Sequence, residues 1–296
     1  MPAPGRPSIV LVSTYESGHQ PLGLAAPAAA LRAAGFDVAC LDLAVKPADV
    51  DLLGHARLVG ISVPMHTGAR LGVAFARRVR ALNPNARLVF YGLYAAPLAA
   101  HLAEAGLADA ALGGEYEPGL VALARHILSR PDANGATLPT SELAFPRQHY
   151  PVPDRTGLPA LDHYARLLDG SREALAGYVE ATRGCAHTCA HCPITPVYGG
   201  RLRLVQPETV LADIDQQVAA GATHITFGDP DFLNARPHAL AIVEALHQRH
   251  PAITFDVTIK VEHLIDHAGM LPRLRELGCL FVTSAFESTN AAILDK

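Results

Sequence analysis

The sequence has no surplus of positive charge: 24 Lys and Arg stand against 28 Asp and Glu, a formal net charge of −4 over 296 residues. Without a basic excess or a Lys/Arg cluster, it lacks the electrostatic footprint of a nucleic-acid binder or a membrane-surface protein. It opens Met1-Pro-Ala-Pro-Gly-Arg-Pro7, with no apolar core of a secretory leader, and no uninterrupted apolar run is long enough to cross a bilayer. A cytoplasmic protein with neither nucleic-acid nor membrane partners is expected. Cysteine is scarce, five in all. In that compartment clustered cysteines bind metals or react more often than they pair as disulfides. Fifteen histidines are mostly scattered; His187/His191 and His263/His267 have four-residue spacing, but neither pair carries the Glu of a His-Glu-x-x-His zinc helix. Half of the residues are hydrophobic, enough for a substantial core in one large domain or two ordinary ones.

Three of the five cysteines nevertheless fall within eight residues, in Thr182-Arg-Gly-Cys185-Ala-His-Thr-Cys189-Ala-His-Cys192-Pro193. The spacing C-x3-C-x2-C offers three soft thiolates from one loop, which suits an iron–sulfur cluster or zinc. A cubane cluster held by three thiolates keeps one iron open, as a chemical centre needs; structural zinc with His187 or His191 as fourth ligand is the alternative. Zinc usually takes two separated ligand pairs, and no second cysteine pair follows downstream. Cys40 and Cys279 lie in apolar strand-like runs and read as small core residues.

Residues 1–130 alternate apolar strands (8–13, 37–42, 58–63, 86–91, 110–114) with helices (24–34, 70–82, 118–129). Continuous apolar strands between helices predict a Rossmann-like α/β domain with a doubly wound parallel sheet. Such sheets bind ligands beyond the strand carboxyl ends. Residues 131–170 carry Pro131, Pro139, Pro146, Pro151, Pro153 and Pro159 and read as a linker. In 171–296 a strand, 177–182, runs into the cysteine loop; helices 207–219, 237–250 and 271–277 alternate with strands 224–228, 253–259 and 279–284. This is the first part of a parallel (β/α) barrel, with the cysteine loop on the face where barrel sites lie.

With Arg183-Gly184-Cys185, Cys192-Pro193 and a doubly wound domain ahead of a barrel, the chain resembles the radical S-adenosylmethionine (SAM) superfamily, specifically members with an N-terminal cobalamin (B12)-binding-type domain. The resemblance covers nearly the whole chain. Ser13-Thr-Tyr-Glu-Ser-Gly-His-Gln-Pro-Leu-Gly23, Ser62-Val-Pro-Met-His-Thr67, Phe90-Tyr-Gly-Leu-Tyr94, Gly113-Gly-Glu-Tyr-Glu117, Phe227-Gly-Asp-Pro-Asp-Phe-Leu-Asn234 and Lys260-Val-Glu-His263 resemble a subgroup named for cysteine- or selenocysteine-containing tails. That subgroup includes the radical SAM enzyme of arsinothricin biosynthesis, which joins arsenic to the 3-amino-3-carboxypropyl group of SAM; the alternatives are a cobalamin-dependent radical SAM methyltransferase of secondary metabolism and a non-catalytic metal-binding protein.

The resemblance implies that Cys185, Cys189 and Cys192 bind a [4Fe–4S] cluster and that SAM binds its open iron. It implies a small-molecule substrate and a reducing partner such as flavodoxin or ferredoxin. An electron delivered through the cluster would break a carbon–sulfur bond of the sulfonium, with the protein supplying position and exclusion of solvent. His191, before the third cysteine, stands where an aromatic residue is usual and could lie against adenine. Gly228, Asp229 and Asp231 follow the second barrel strand, where the superfamily often binds the SAM amino group; Asp-Pro-Asp is equally good turn chemistry. Lys260 and Glu262 would reach the carboxylate and ribose, or form an exposed ion pair. Ser284 and Glu287 end the fourth strand, for SAM or as ordinary helix-start residues.

In the first domain, Asp-x-His-x-x-Gly, whose histidine ligates cobalt in many B12 domains, is absent. Ser62-Val-Pro is a degenerate form of the Ser-x-Leu signature, and Tyr91-Gly92 stands where Gly-Gly is common. Tyr91 would place a ring where backbone approaches the nucleotide tail, so the domain either binds cobalamin or has lost or repurposed that site. His19, Ser62, His66, Tyr91 and Tyr94, at strand ends, are the candidates to face a substrate or corrinoid; otherwise they are satisfied polar residues. Radical SAM barrels usually have six strands, so the sequence implies a truncated barrel that lacks the subgroup's cysteine-rich tail.

Overall fold

The computed structural model describes residues 7–129, 142–170, 172–286, 288–290 and 292. The chain divides into two units, 1–159 and 160–296.

The first unit runs β1 (Ile9–Ser13), α1 (Leu22–Ala33), β2 (Val38–Asp42), α2 (Val50–His55), β3 (Leu58–Ser62), α3 (His66–Leu82), β4 (Arg87–Tyr91), α4 (Ala95–Glu104), β5 (Ala110–Gly114), α5 (Glu117–Ser129) and β6 (Glu142–Ala144). The sheet is parallel, in the order β2-β1-β3-β4-β5-β6. Side chains alternate across a strand, so the buried run Ile9-Val-Leu-Val serves both faces. Ile9 and Leu11 pack with Leu24, Leu31, Leu120 and Leu123 of α1 and α5. Val10 and Val12 pack with Leu53, Phe75, Val79 and Leu102 of α2, α3 and α4. That is the doubly wound arrangement expected from the continuous apolar strands. Register aligns Ser13 with Ser62 and Ser62 with Tyr91, so all three mark the carboxyl edge of the sheet.

Within the proline-rich stretch, residues 142–159 belong to this unit. β6 pairs with β5, Asp154 meets Arg32 at 2.7 Å, and Gln20 Nε2 donates to the Pro159 carbonyl at 2.9 Å. Residues 130–141 lie outside the described residues.

The second unit contains β7 (Arg166–Asp169), β8 (Arg172–Val179), β9 (Thr182–Gly184), α6 (Thr195–Tyr198), β10 (Leu202–Leu204), α7 (Pro207–Ala219), β11 (His224–Phe227), α8 (Arg236–Arg249), β12 (Thr254–Thr258), α9 (Val261–Asp266), α10 (Leu271–Glu276) and β13 (Cys279–Thr283). Its curled half-barrel sheet has the order β13-β12-β11-β8-β7, with only β7 antiparallel. Phe227, Phe232 and Phe255 are fully buried and touch ring to ring at 5.0 and 5.7 Å. One expectation is corrected: the barrel strand does not run directly into the cysteine loop. β8 stops at Val179, and residues 182–184 leave the sheet to form a separate antiparallel ribbon with β10.

Candidate functional site

The end of β11 holds the start of the cysteine loop. Asp229, 2% exposed, accepts from the Ala181 N–H at 3.0 Å and from Thr182 Oγ1 at 2.5 Å. Burial pushes its carboxyl up to about 6, and these hydrogen bonds offset part of that. At Gly184 the chain turns with φ +73°, and a Cβ there would sit 2.3 Å from both the Arg201 carbonyl oxygen and the Tyr198 ring. Only glycine fits that turn. Beyond it, the Cys192 N–H donates to the Cys189 carbonyl at 3.2 Å, and Thr195 donates from Oγ1 to Cys189 O at 2.9 Å. These bonds wind the loop into α6.

Cys185, Cys189 and Cys192 are half-buried free thiols, and Asn234 Nδ2 donates to Cys185 Sγ at 3.3 Å. Three unpaired sulfurs on one loop, one already receiving an N–H, are a donor set that fits an iron–sulfur cluster. A mononuclear zinc would want a fourth ligand. His187 Nε2 points instead toward Asp231 Oδ2, 3.6 Å away. Among the described residues, the His/Cys/Asp/Glu group whose ligand atoms lie within 4.8 Å of one another is His187, Asp231 and His263, and none of the three cysteines is in it.

The other expected SAM residues separate by environment. His191 is exposed on the cysteine loop. Gly228 lies against Tyr178, whose hydroxyl would stand 1.9 Å from an added Cβ. Asp229 spends its carboxylate on the strand–loop junction. Asp231, 2% exposed, accepts the Lys260 N–H on Oδ1 at 3.2 Å and turns Oδ2 toward His187 and His263. Lys260 Nζ pairs with Glu262, which raises the lysine and lowers the glutamate from their ordinary ranges. Ser284 Oγ donates to the Ile259 carbonyl at 2.7 Å. Glu287 lies outside the described residues.

The geometry adds residues that sequence reasoning did not single out. Asn234 reaches Cys185, and His263 reaches Asp231 at 2.6 Å. The one available signal was the pair of four-residue histidine spacings, since each pair supplies one member of the His187–Asp231–His263 group.

At the carboxyl edge of the first sheet, Ser62 is buried, His19 is half-buried, and exposed His66 meets Tyr94 edge-on at 6.4 Å. Tyr91 has no exposed surface. Its ring packs with the α1/α5 cluster and against Tyr116 at 5.0 Å, and its hydroxyl donates to the Gly23 carbonyl at 2.8 Å. Burial drives that hydroxyl well above the ordinary tyrosine range. A Cβ on Gly60 would stand 3.0 Å from the Tyr91 ring, and one on Gly23 would stand 2.4 Å from Ser62 Oγ. Tyr91, Ser62, Gly60 and Gly23 are thus closely packed on one another, with little room beside the Tyr91 ring for an inserted nucleotide tail.

Two protein families match the chain: the B12 binding domain over residues 8–124 and the radical SAM superfamily over 179–296. A hopanoid C-2 methylase of Rhodopseudomonas palustris (strain TIE-1) is 24% identical over 165 residues, 55% of this chain and 29% of the relative. Two structures of TsrM from Kitasatospora setae, a radical S-adenosylmethionine methyltransferase, share the fold. One holds tryptophan substrate and the SAM analogue aza-SAM, the other cobalamin and a [4Fe–4S] cluster. Each superposes with a TM-score of 0.70 at 19% identity over 97% of this chain. The chain spans 60–62% of TsrM's length and under a third of the methylase's. The chain thus matches a B12 binding domain over residues 8–124 and, further along, the radical SAM superfamily over residues 179–296.

Proposed function

We propose that this chain is a radical SAM transferase that cleaves SAM at the Cys185–Cys189–Cys192 loop. In the finer reading it passes the 3-amino-3-carboxypropyl group to trivalent arsenic, as in arsinothricin-type biosynthesis. A reduced cluster held there would supply one electron to the sulfonium of bound SAM, and a carbon–sulfur bond of SAM would break. The three cysteines hold the cluster, and Asn234 donates to the first sulfur. Asp229 and Gly184 fix where the loop leaves the sheet. Exposed His191 offers a flat ring to the adenine. Lys260 and Glu262 lie at the start of α9, where they can orient the amino-acid end. The substrate is a small molecule, and the electron comes from a flavodoxin- or ferredoxin-like partner.

The observation that supports direct transfer from SAM is Tyr91, a fully buried ring bonded to Gly23 where Gly-Gly is common in the resembled family. A second reading, cobalamin-dependent methylation, is favoured by the B12-binding match and by the similarity to two methylating enzymes. It requires Tyr91 to move. One anaerobic assay separates them: reconstitute with iron and sulfide, reduce with dithionite, add SAM with and without arsenite, and identify the nucleosides. Direct transfer yields 5′-methylthioadenosine. Corrinoid-linked methylation yields 5′-deoxyadenosine and S-adenosylhomocysteine and needs added cobalamin. An intact cluster that cleaves no SAM overturns both.

A further inference from the structure

We propose that His187, Asp231 and His263 form a second metal site, for a divalent first-row transition cation, beside the cysteine loop. It stands independently of which group is transferred. The three side chains come from three separate chain segments: the cysteine loop, the turn after β11, and α9. Their ligand atoms all lie within 4.8 Å of one another. Ligands about 2.1 Å from one cation stand roughly 3.0 Å apart at right angles and roughly 3.4 Å apart at the tetrahedral angle. Here Asp231 Oδ2 is 2.6 Å from His263 Nδ1 and 3.6 Å from His187 Nε2, values on either side of that range.

The second observation is that all three of these atoms are buried with no hydrogen-bond partner: Asp231 Oδ2, His187 Nε2 and His263 Nδ1. The short His263–Asp231 approach lacks hydrogen-bond geometry. Buried polar atoms are otherwise nearly always bonded, so three neighbouring orphans are a ready ligand set for one cation. The surroundings fix the ligands in place. Asp231 is held through its other oxygen by the Lys260 N–H at 3.2 Å. The His263 ring packs against those of His187 and His267, with centroids at 4.9 and 5.7 Å. Of the nearby positive charges, the Lys260 ammonium is directed to Glu262 and Arg236 to His267. Two imidazoles and one carboxylate suit zinc or iron(II) rather than the all-oxygen preference of magnesium or calcium. Three protein ligands leave coordination positions open.

The test uses the full chain with its cluster reconstituted, so that the thiolates are already occupied. Chelator-washed protein is titrated with cobalt(II) and, separately, with zinc, followed by visible spectroscopy and metal analysis. The expected result is one cobalt or zinc per chain beyond the cluster iron, with weak ligand-field bands and no thiolate-to-cobalt charge-transfer band. Asp231→Asn and His263→Gln should each weaken binding by about tenfold or more. His250→Gln, on a histidine paired with Asp215 away from this group, should bind as the wild type does. Circular dichroism checks that each variant is folded, and the wild-type cobalt spectrum needs no variant. No cation beyond the cluster, a thiolate charge-transfer spectrum, or undiminished binding in folded His263→Gln would each overturn the site, leaving a buried histidine–carboxylate pair.

Discussion

Proline has no N–H, and Pro27 sits inside α1, so the Gly23 carbonyl four residues earlier loses its helical donor. Tyr91 supplies the missing donor from β4. Replacing Tyr91 with Phe should therefore cost about 1 kcal/mol in chemical denaturation, the usual net worth of one hydrogen bond. Tyr91→Gly removes the ring as well and should cost about 3–5 kcal/mol, as for other large-to-small core changes. The opened space should let that variant retain hydroxocobalamin through gel filtration, while the wild type does not. Retention by the wild type would sink the argument that Tyr91 fills the tail space. The cysteines divide in the same residue-by-residue way. Burial pushes the Cys40 and Cys279 thiols up to about 11. At pH 8 roughly a thousandth of each is thiolate, so both should resist iodoacetamide in folded, cluster-free protein while the three loop cysteines react. Peptide mass mapping reads this directly. The loop was legible because its residues are adjacent in sequence. The His187–Asp231–His263 group was not, because its members are brought together only by three successive strand ends.

The parallel strands were legible as elements for a simple reason: burial on both faces requires an unbroken apolar run, and such runs can be read. Short or amphipathic pieces escaped. α2 spans six residues, α4 lies in an Ala-rich stretch with no clear period, and the β9–β10 ribbon has three residues per strand. That ribbon begins at Thr182, where the sequence reading ended a barrel strand that in fact stops at Val179. Its cause lies in tertiary contacts at the β8 and β11 ends, in Asp229 with Thr182 and in Gly228 with Tyr178. A Cβ at residue 228 would drive into the Tyr178 ring, so Gly228→Ala should destabilise by about 1–3 kcal/mol through overpacking. In a Tyr178→Ala background the same change should cost much less. A double-mutant cycle in denaturant measures the coupling, and equal costs in both backgrounds would refute the contact. Thr182→Val deletes one donor to a buried carboxylate and should cost about 1.5–3 kcal/mol, with a parallel drop in reconstituted cluster yield.

Across the molecule, the apolar cores and the cysteine loop are separate sets. The first unit's two clusters are built from the strands β1–β5 and their helices, and the second unit's aromatic core is Phe227, Phe232 and Phe255. The cysteine loop contributes no fully buried side chain: its three thiols are half-buried, and residues 186, 188 and 190 are exposed. This separation explains why fold class could be argued from apolar periodicity and the metal loop from cysteine spacing, each without the other. It also explains why the transferred group could not be read from either, since it depends on how loop side chains meet a bound substrate. Replacing Cys185, Cys189 and Cys192 together with Ala should therefore leave far-ultraviolet circular dichroism unchanged, because none of these thiols belongs to a core. The variant should lose the charge-transfer colour of the reconstituted cluster and all reductive cleavage of SAM. A collapse of secondary structure in that variant would mean that the cluster loop is part of the folding core, contrary to its exposure. Retained SAM cleavage would move the chemistry away from the loop altogether.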